Sequence, residues 1–409
     1  MKINIKKPVV LLLGLIMMVA VTAGCSQNTE NDKSYDLNKI NNEVTGRNVD
    51  FAFDIFREIN REEKAENIFI SPLSISTALT MTYNGALGDT LAQMEKGLRY
   101  EGLIIHEVNE TYSNLLPYLS QTDKKVELNI CNSIWYRQGE AIKEEFISTN
   151  QNVFDAEVKE ADFSDPETVN AINKWIKEST KGKIDKMIDP PIPDQVVMYL
   201  INAVYFKGEW AAQFNIEDTF QTDFNGIDGF QTIDMMSMKG EVEYGEGYDY
   251  KAVRLPYGEG KTAMYFILPE AGQDIDSFIR TMDSDKFNSV KDTLKNTEDV
   301  LLQVPKFKME YGIKKLNDSL IAMGMELPFS AEADLSGIRE GLFISEVLHK
   351  AVIEVNEEGS EAAGVTVVIV AETAAQEPVT FIADRPFLFL IEEEATGSIL
   401  FMGKYCNAP

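Results

Sequence analysis

The chain has 409 residues, 44% of them hydrophobic and 25% charged, the mix of an ordinary globular protein with enough apolar mass for a large core. Its formal net charge of −28 repels nucleic acid and anionic membrane surfaces; the same charge also serves plain solubility. No linker, repeat or low-complexity tract follows residue 43, so one large domain is expected over 44–409.

Lys2, Lys6 and Lys7 precede an apolar run from Val9 to Val21, and Thr22-Ala23-Gly24-Cys25 follows. This is the layout of a secretory signal peptide, too short to span a bilayer comfortably. Its ending resembles the lipobox of bacterial lipoproteins, with Thr22 standing where Leu is commonest. That resemblance implies cleavage of residues 1–24 and a diacylglyceryl group on the Cys25 thiol. A plain signal peptide with a chance cysteine is the blander reading. Residues 25–43 are mostly polar and read as a tether. Such a tether spans roughly 20–25 Å on average and holds the domain clear of the membrane. The expected location is extracellular, anchored to the cell membrane or released as a secreted form. The other cysteines are Cys131, in an apolar run, and Cys406; neither shows a disulfide or metal-ligand spacing. No metal or other cofactor is expected.

In the body, Val49, Ala52, Phe53, Phe56 and Ile59 predict a helix over 46–61. Asn67 to Ile70 reads as a short strand, and Pro72 opens a buried helix. Val126 to Tyr136 is a strand. Ser164 or Asp165 caps a helix with Pro166 at its start and Val169, Ile172 and Ile176 on its apolar face. Met198 to Phe206 is an apolar strand interrupted by Asn202. Lys251–Leu255 and Thr262–Leu268 form a hairpin about Gly258-Glu259-Gly260. Val300–Val304 is a strand, Ile313–Met323 a helix, and a strand lies within Leu342–Val355. Phe381–Ala383, Phe387–Ile391 and Ile399–Lys404 close the chain. Helices lead and strands dominate later, which gives an α+β class with mainly antiparallel sheets.

One stretch resists a single assignment. From Glu354 the chain begins as a strand, breaks at Gly359, and continues through Ser360, Glu361, Ala362, Ala363 and Gly364 into the β-branched run Val365–Val370. It then dissolves into a loop ending at Pro378. Counting from Ser360, alternate residues are Ser, Ala, Gly, Thr, Val and Val, none of them large or charged. An ordinary edge strand has no need of that pattern. The segment suits two homes, an exposed loop and a strand inside a sheet.

Four motifs in order resemble the serpin (serine protease inhibitor) family: Asn67-Ile-Phe-Ile-Ser-Pro-Leu-Ser74, Asn202-Ala-Val-Tyr-Phe-Lys-Gly-Glu-Trp210, His349 to Ala363, and Phe381-Ile-Ala-Asp-Arg-Pro-Phe-Leu-Phe389. The resemblance covers about residues 45–409; Ala408 departs from it by standing inside the usual terminal Asn-Pro. It implies three β-sheets, eight or nine helices and an exposed reactive-centre loop. It also implies suicide inhibition: a protease cuts the loop, forms an acyl-enzyme, and is dragged across the molecule as the loop inserts into a sheet. The resemblance assigns Glu357, Glu358, Gly359, Ser360, Glu361, Ala362, Ala363, Gly364, Val365 and Thr366 to the hinge. Ser71, Ser74, Asn202 and His349 fall in a hydrogen-bonded cluster beneath the sheet that controls its opening, though a buried histidine is more often plain core. Trp210 falls where insertion begins, though plain core packing also accounts for it. The reactive bond falls at Thr373–Ala374, to within a residue or two. No Lys or Arg occurs between Gly359 and Asp384, which argues against trypsin-like targets and for elastase-like or subtilisin-like ones.

The expected partner is therefore a serine protease in covalent complex with a monomeric inhibitor. An enzyme is the first rival; the chain has two histidines and no GxSxG, HExxH or P-loop. A non-inhibitory serpin acting as a surface binding or structural protein is the second, and the permissive hinge argues against it.

Overall fold

Local signals account for most of the early elements. Asn41 caps α1 (Asn42–Glu62) by accepting a hydrogen bond from the Glu43 N–H, and Val44, Phe51, Ile55 and Ile59 form its buried stripe. After β1 (Ile68–Ile70), the Ser71 side chain caps α2 (Pro72–Tyr83), with Pro72 in the first turn where its missing N–H costs nothing. α3 (Gly88–Gly97) and α4 (Ile105–Ser120) follow, then β2 (Val126–Arg137), α5 (Glu144–Phe154) and β3 (Glu157–Ala161). Asp165, not Ser164, caps α6 (Pro166–Ser179). The rest is mostly strand: β4 (Met198–Glu209), β5 (Phe220–Gly226), β6 (Gly229–Glu246), β7 (Tyr250–Tyr257) and β8 (Thr262–Pro269). Two short helices, α7 (Ile275–Arg280) and α8 (Ser284–Thr293), precede β9 (Lys295–Pro305), β10 (Phe307–Lys315) and α9 (Asn317–Ala322). β11 (Leu348–Val355), β12 (Gly359–Ser360), β13 (Thr380–Ile382), β14 (Phe387–Glu393) and β15 (Ser398–Tyr405) complete the chain.

This computed structural model describes residues 33–360 and 379–409. Ser34–Pro409 forms one compact unit. Among the described residues there are nine α-helices and three sheets, the α+β class read from the sequence with the counts that the resemblance implied. The largest sheet has the order β1-β15-β14-β8-β7-β6-β9-β13, with β5 added on β6. A second sheet runs β12-β4-β2-β3, and a third is the pair β10-β11. The main core lies between the large sheet and α1, α2 and α4. A separate apolar cluster joins α6 to the outer face of β2, β4 and β11 through Trp135, Ile172, Ile176 and Ile201, with Leu348 and Val352 packed against it. No described helix is long and apolar enough to cross a membrane.

Two expectations need correction. The polar stretch read as tether to residue 43 is folded well before that point. Asp36 caps a 3-10 turn at Leu37–Lys39, Ile40 is buried, and α1 has begun at Asn42. A window dominated by Asn, Asp and Lys hides single anchors such as Tyr35 and Ile40. The helix expected over Ile313–Met323 is a strand to Lys315 and a helix only from Asn317. Phe307, Met309 and Tyr311 alternate inward with period two, and the pairing of β10 with β11 overrides the local preference.

Candidate functional site

β4 and β11 belong to different sheets, so each presents a ladder edge to the space between them. The chain leaves β11 at Val355, turns at Asn356, and comes back beside β4. There Gly359 lies opposite Glu209 and Ser360 opposite Gly208, antiparallel. The turn is tightly held. The Asn356 side chain accepts hydrogen bonds from the Glu358 and Gly359 N–H groups. Gly359 has φ +148°, and a Cβ there would sit 2.1 Å from the Gly208 carbonyl oxygen. Trp210 ties the turn to β4: its backbone N–H donates to Glu358 O at 2.9 Å and its indole Nε1 to Asn356 O at 2.9 Å. Its ring stacks on Tyr257 at 4.4 Å, and the Tyr257 hydroxyl meets Ser360 Oγ at 2.9 Å.

Glu357 anchors the same turn from the other side. Its carboxylate accepts from Lys306 Nζ at 2.9 Å and from Thr219 Oγ1 at 2.8 Å, and its side chain is 6% exposed. Burial alone would raise its pKa. The Lys306 and Thr219 hydrogen bonds outweigh burial and hold it below the usual carboxylate range.

Below the turn, polar side chains meet across four elements. The Ser71 N–H donates to His349 Nε2 at 3.1 Å, and Ser71 Oγ donates to Leu400 O at 2.7 Å. Ser74 Oγ donates to Asn202 Oδ1, and Asn202 Nδ2 donates to Asn132 Oδ1 at 2.6 Å. Asn132 Nδ2 in turn donates to Phe154 O at 2.6 Å. The cluster thus links α2, β4, β2 and β11. His349 is 5% exposed, and burial lowers its pKa to about 4. It is neutral at pH 7, with Nε2 bare to accept the Ser71 proton.

Between these polar groups lies a cavity of about 220 Å³. Ile75, Leu79, Ile201, Ile338 and Leu342 line it, with Ser74, Asn202 and His349 at its polar wall. The segment after α6 roofs the gap: Ile184, Met187 and Ile188 share an apolar cluster with Tyr199 of β4 and with Leu348 and Val352 of β11.

The structure brings together Ser71, Ser74, Asn202 and His349, and separately Trp210, Glu357, Glu358, Gly359 and Ser360. Glu361, Ala362, Ala363, Gly364, Val365, Thr366, Thr373 and Ala374, and Cys25 at the other end, lie outside the described residues. Cys131 and Cys406 are free thiols, the first half-buried and the second buried. Among the described residues no group of His, Cys, Asp and Glu is placed to hold a metal ion. Sequence reasoning missed Asn132, Tyr257 and Lys306. Asn132 carried a signal, an amide between Cys131 and Ser133 on a strand facing Asn202, but Asn129 in the same strand blurs it. Tyr257 and Lys306 carried none, because their partners lie far away in sequence.

The chain resembles known proteins along most of its length. Residues 46–408 match the family model described as serpin (serine protease inhibitor). Leukocyte elastase inhibitor from Bos taurus is 35% identical over 376 residues, covering 88% of this chain and 98% of the bovine protein. An uncharacterized serpin-like protein of Thermococcus kodakarensis is 35% identical over 371 residues, covering 87% of this chain and 84% of its own. Among solved structures, the thermophilic serpin tengpin in the native state superposes with a TM-score of 0.80 at 33% identity, covering 92% of this chain and 96% of tengpin. Human thyroxine-binding globulin complexed with its hormone gives 0.81 at 29% identity, over 89% and 98% of the two chains. With that match over residues 46–408, and with three sheets and nine α-helices among the described residues, this chain belongs to the serpin family.

Proposed function

We propose that this protein is a suicide inhibitor of serine proteases, of the elastase-like or subtilisin-like kind. The single observation that carries this reading is Ser360. It already points into the fold beside β4, on the line that a further strand must follow between β4 and β11. In the reaction, the protease serine Oγ attacks the Thr373 carbonyl. The amine of Ala374 departs with a proton, leaving an ester between the protease and Thr373. Insertion of the freed strand then pulls that ester away from the geometry needed for hydrolysis. The likeness to leukocyte elastase inhibitor supports the target class, as does the lack of Lys and Arg between Gly359 and Asp384. Cys25 carries the lipid and holds the inhibitor outside the cell membrane; labelling with a radioactive fatty acid that survives Cys25→Ser would refute the anchor. The chain acts as a monomeric inhibitor and not as an enzyme.

The test of function is a denaturing gel of the soluble domain mixed with elastase and with subtilisin. A covalent complex with either, and a rise in Tm once the loop is cut, are expected. Absence of both leaves the non-inhibitory reading, a surface binding or structural serpin, as the better one.

A further inference from the structure

Helical spacing builds the floor of the cavity beneath the gap. Ser74, Ile75, Ala78, Leu79 and Thr82 recur every three or four residues along α2, so one face of that helix lines it. Strand alternation builds the walls. His349 lies on the core side of β11 with Ala351, Ile353 and Val355, while Leu348 and Val352 pack outward against the α6 cluster. Met198 and Leu200 of β4 pack on the core side, beside Asn202. The rim is Gly341–Glu346. Phe343 is 44% exposed there, so the cavity opens to solvent.

Size, charge and hydrogen bonding each narrow what such a cavity can hold. A cavity of about 150 Å³ takes benzene, so one of about 220 Å³ takes a body roughly half as large again. Among the described residues that line it there is no lysine or arginine to neutralise a buried anion, and the one carboxylate, Glu346, is bonded to Lys315. The polar side chains are mostly occupied. Ser74 and Asn202 are bonded within the relay, and Thr82 Oγ1 donates to Ala78 O. His349 is the exception. Its Nε2 accepts from the Ser71 N–H, which leaves the ring proton on Nδ1, and Nδ1 has no hydrogen-bond partner among the described residues. The side chain is 5% exposed, and a buried donor without a partner calls for an acceptor.

We propose that this cavity binds a small neutral molecule with a compact apolar body and one acceptor oxygen, such as an aryl ketone. The oxygen takes the Nδ1–H of His349, and the body packs on Ile75, Leu79, Ile338 and Leu342. An apolar enclosure with a single well-placed polar group is the usual make-up of a small-molecule site. A strand entering between β4 and β11 needs the same core-side space, so an occupied cavity and a trapped protease exclude one another. That exclusion, unlike the site itself, rests on the trapping function.

The test is NMR of the full chain labelled with 15N-histidine. The chain has two histidines and His106 is exposed on α4, so the His349 ring is read on its own. Three probes are titrated: acetophenone, α-methylstyrene, which keeps its shape without the oxygen, and benzoate, which adds a charge. A saturable shift of the His349 Nδ1–H signal is expected with acetophenone, with His106 unmoved. Binding about fivefold weaker is expected for α-methylstyrene, and none for benzoate. Ala78→Leu, which fills the floor, should abolish the shift; should that chain not fold, the probe series in the unaltered chain still decides. No saturable shift, equal binding of all three probes, or a shift that persists in folded Ala78→Leu overturns the site. At saturating acetophenone, covalent complex with elastase or subtilisin should be largely lost to cleaved inhibitor, and an undiminished complex overturns the exclusion. A chain that forms no complex even without ligand defeats the trapping reading and the exclusion with it, while the His349 signal still decides the site.

Discussion

A guanidinium at position 360 would have nowhere to go. Ser360 is 2% exposed, lies across from Gly208, and has its Oγ 2.9 Å from the Tyr257 hydroxyl. Burying an unpaired charge there costs several kcal/mol. Ser360→Arg should therefore leave the cut loop outside, so that the protease finishes hydrolysis and departs. On a denaturing gel, cleaved inhibitor should replace covalent complex; an undiminished complex band would refute the insertion argument. His349 makes a different single-residue prediction. Its pKa is depressed from 6.5 to about 4 by burial, so the unfolded chain takes up a proton that the folded chain refuses between those values. Stability from this group is fully present above pH 6.5 and is lost as pH falls toward 4, by up to the order of 3 kcal/mol. A protonated Nε2 also points a donor at the Ser71 N–H, which itself donates. The acid limb of urea unfolding should flatten over that window in His349→Gln; an identical limb in both proteins would show that carboxylates alone account for it.

At the scale of elements, the amide relay holds together strands that share no sequence neighbourhood. Asn132 and Asn202 face each other in the β2–β4 register, and Asn132 passes the relay on to the end of α5. Asn132→Leu keeps the branching of the side chain but strands the Asn202 amide and the Phe154 carbonyl. A loss of about 1–3 kcal/mol is expected in urea unfolding of the intact protein. A neutral result would mean that water takes over both partners. The same elements show what the sequence discloses and what it hides. Strands β2, β4, β7, β8, β14 and β15 were legible because their apolar runs are bounded by turns. α2 and α6 were legible from Pro72 and Pro166 behind capping side chains. α4 was not, since Pro117 sits inside its last turn and its buried Val108, Tyr112 and Leu115 are thinned by polar neighbours. β10 was misread because tertiary pairing decided it. The hinge was read from side-chain size at alternate positions, and of the residues assigned to it Glu357–Ser360 are described. Its anchors Tyr257 and Lys306 were not legible, because nothing in their local windows points toward residue 357 or 360.

For the whole molecule, the question is whether the loop is the right length for the gap. The observed pairs fix a register. Continuing it puts Ala362 opposite Phe206, Gly364 opposite Val204, Thr366 opposite Asn202, and Val370 opposite Met198, the first residue of β4. The even-numbered residues Phe206, Val204, Leu200 and Met198 pack toward the main core, whereas Tyr199 and Ile201 pack toward α6. On insertion in this register the small residues of the hinge would fall on the core side, with the Thr366 hydroxyl beside the Asn202 relay, and Glu361 would fall on the outer side. Beyond Val370 an inserted strand would pass the end of β4. Thr373 would then lie three residues further, about 10 Å past that end, which would carry an attached protease clear of the sheet and toward the far pole. A bond nearer the hinge would halt the protease before it meets the pole; a bond further on would leave slack. Single arginines placed in turn at Glu372, Thr373, Ala374 and Ala375 convert each neighbouring bond into a trypsin site, since trypsin cuts after a cation. Thr373→Arg should form covalent trypsin complex with the least inhibitor wasted as cleaved product, and the ratio should worsen on either side. A best ratio at a different position would relocate the bond while keeping the length argument. Equal complex at all four would show that the reach of the inserted strand does not decide whether the protease is trapped.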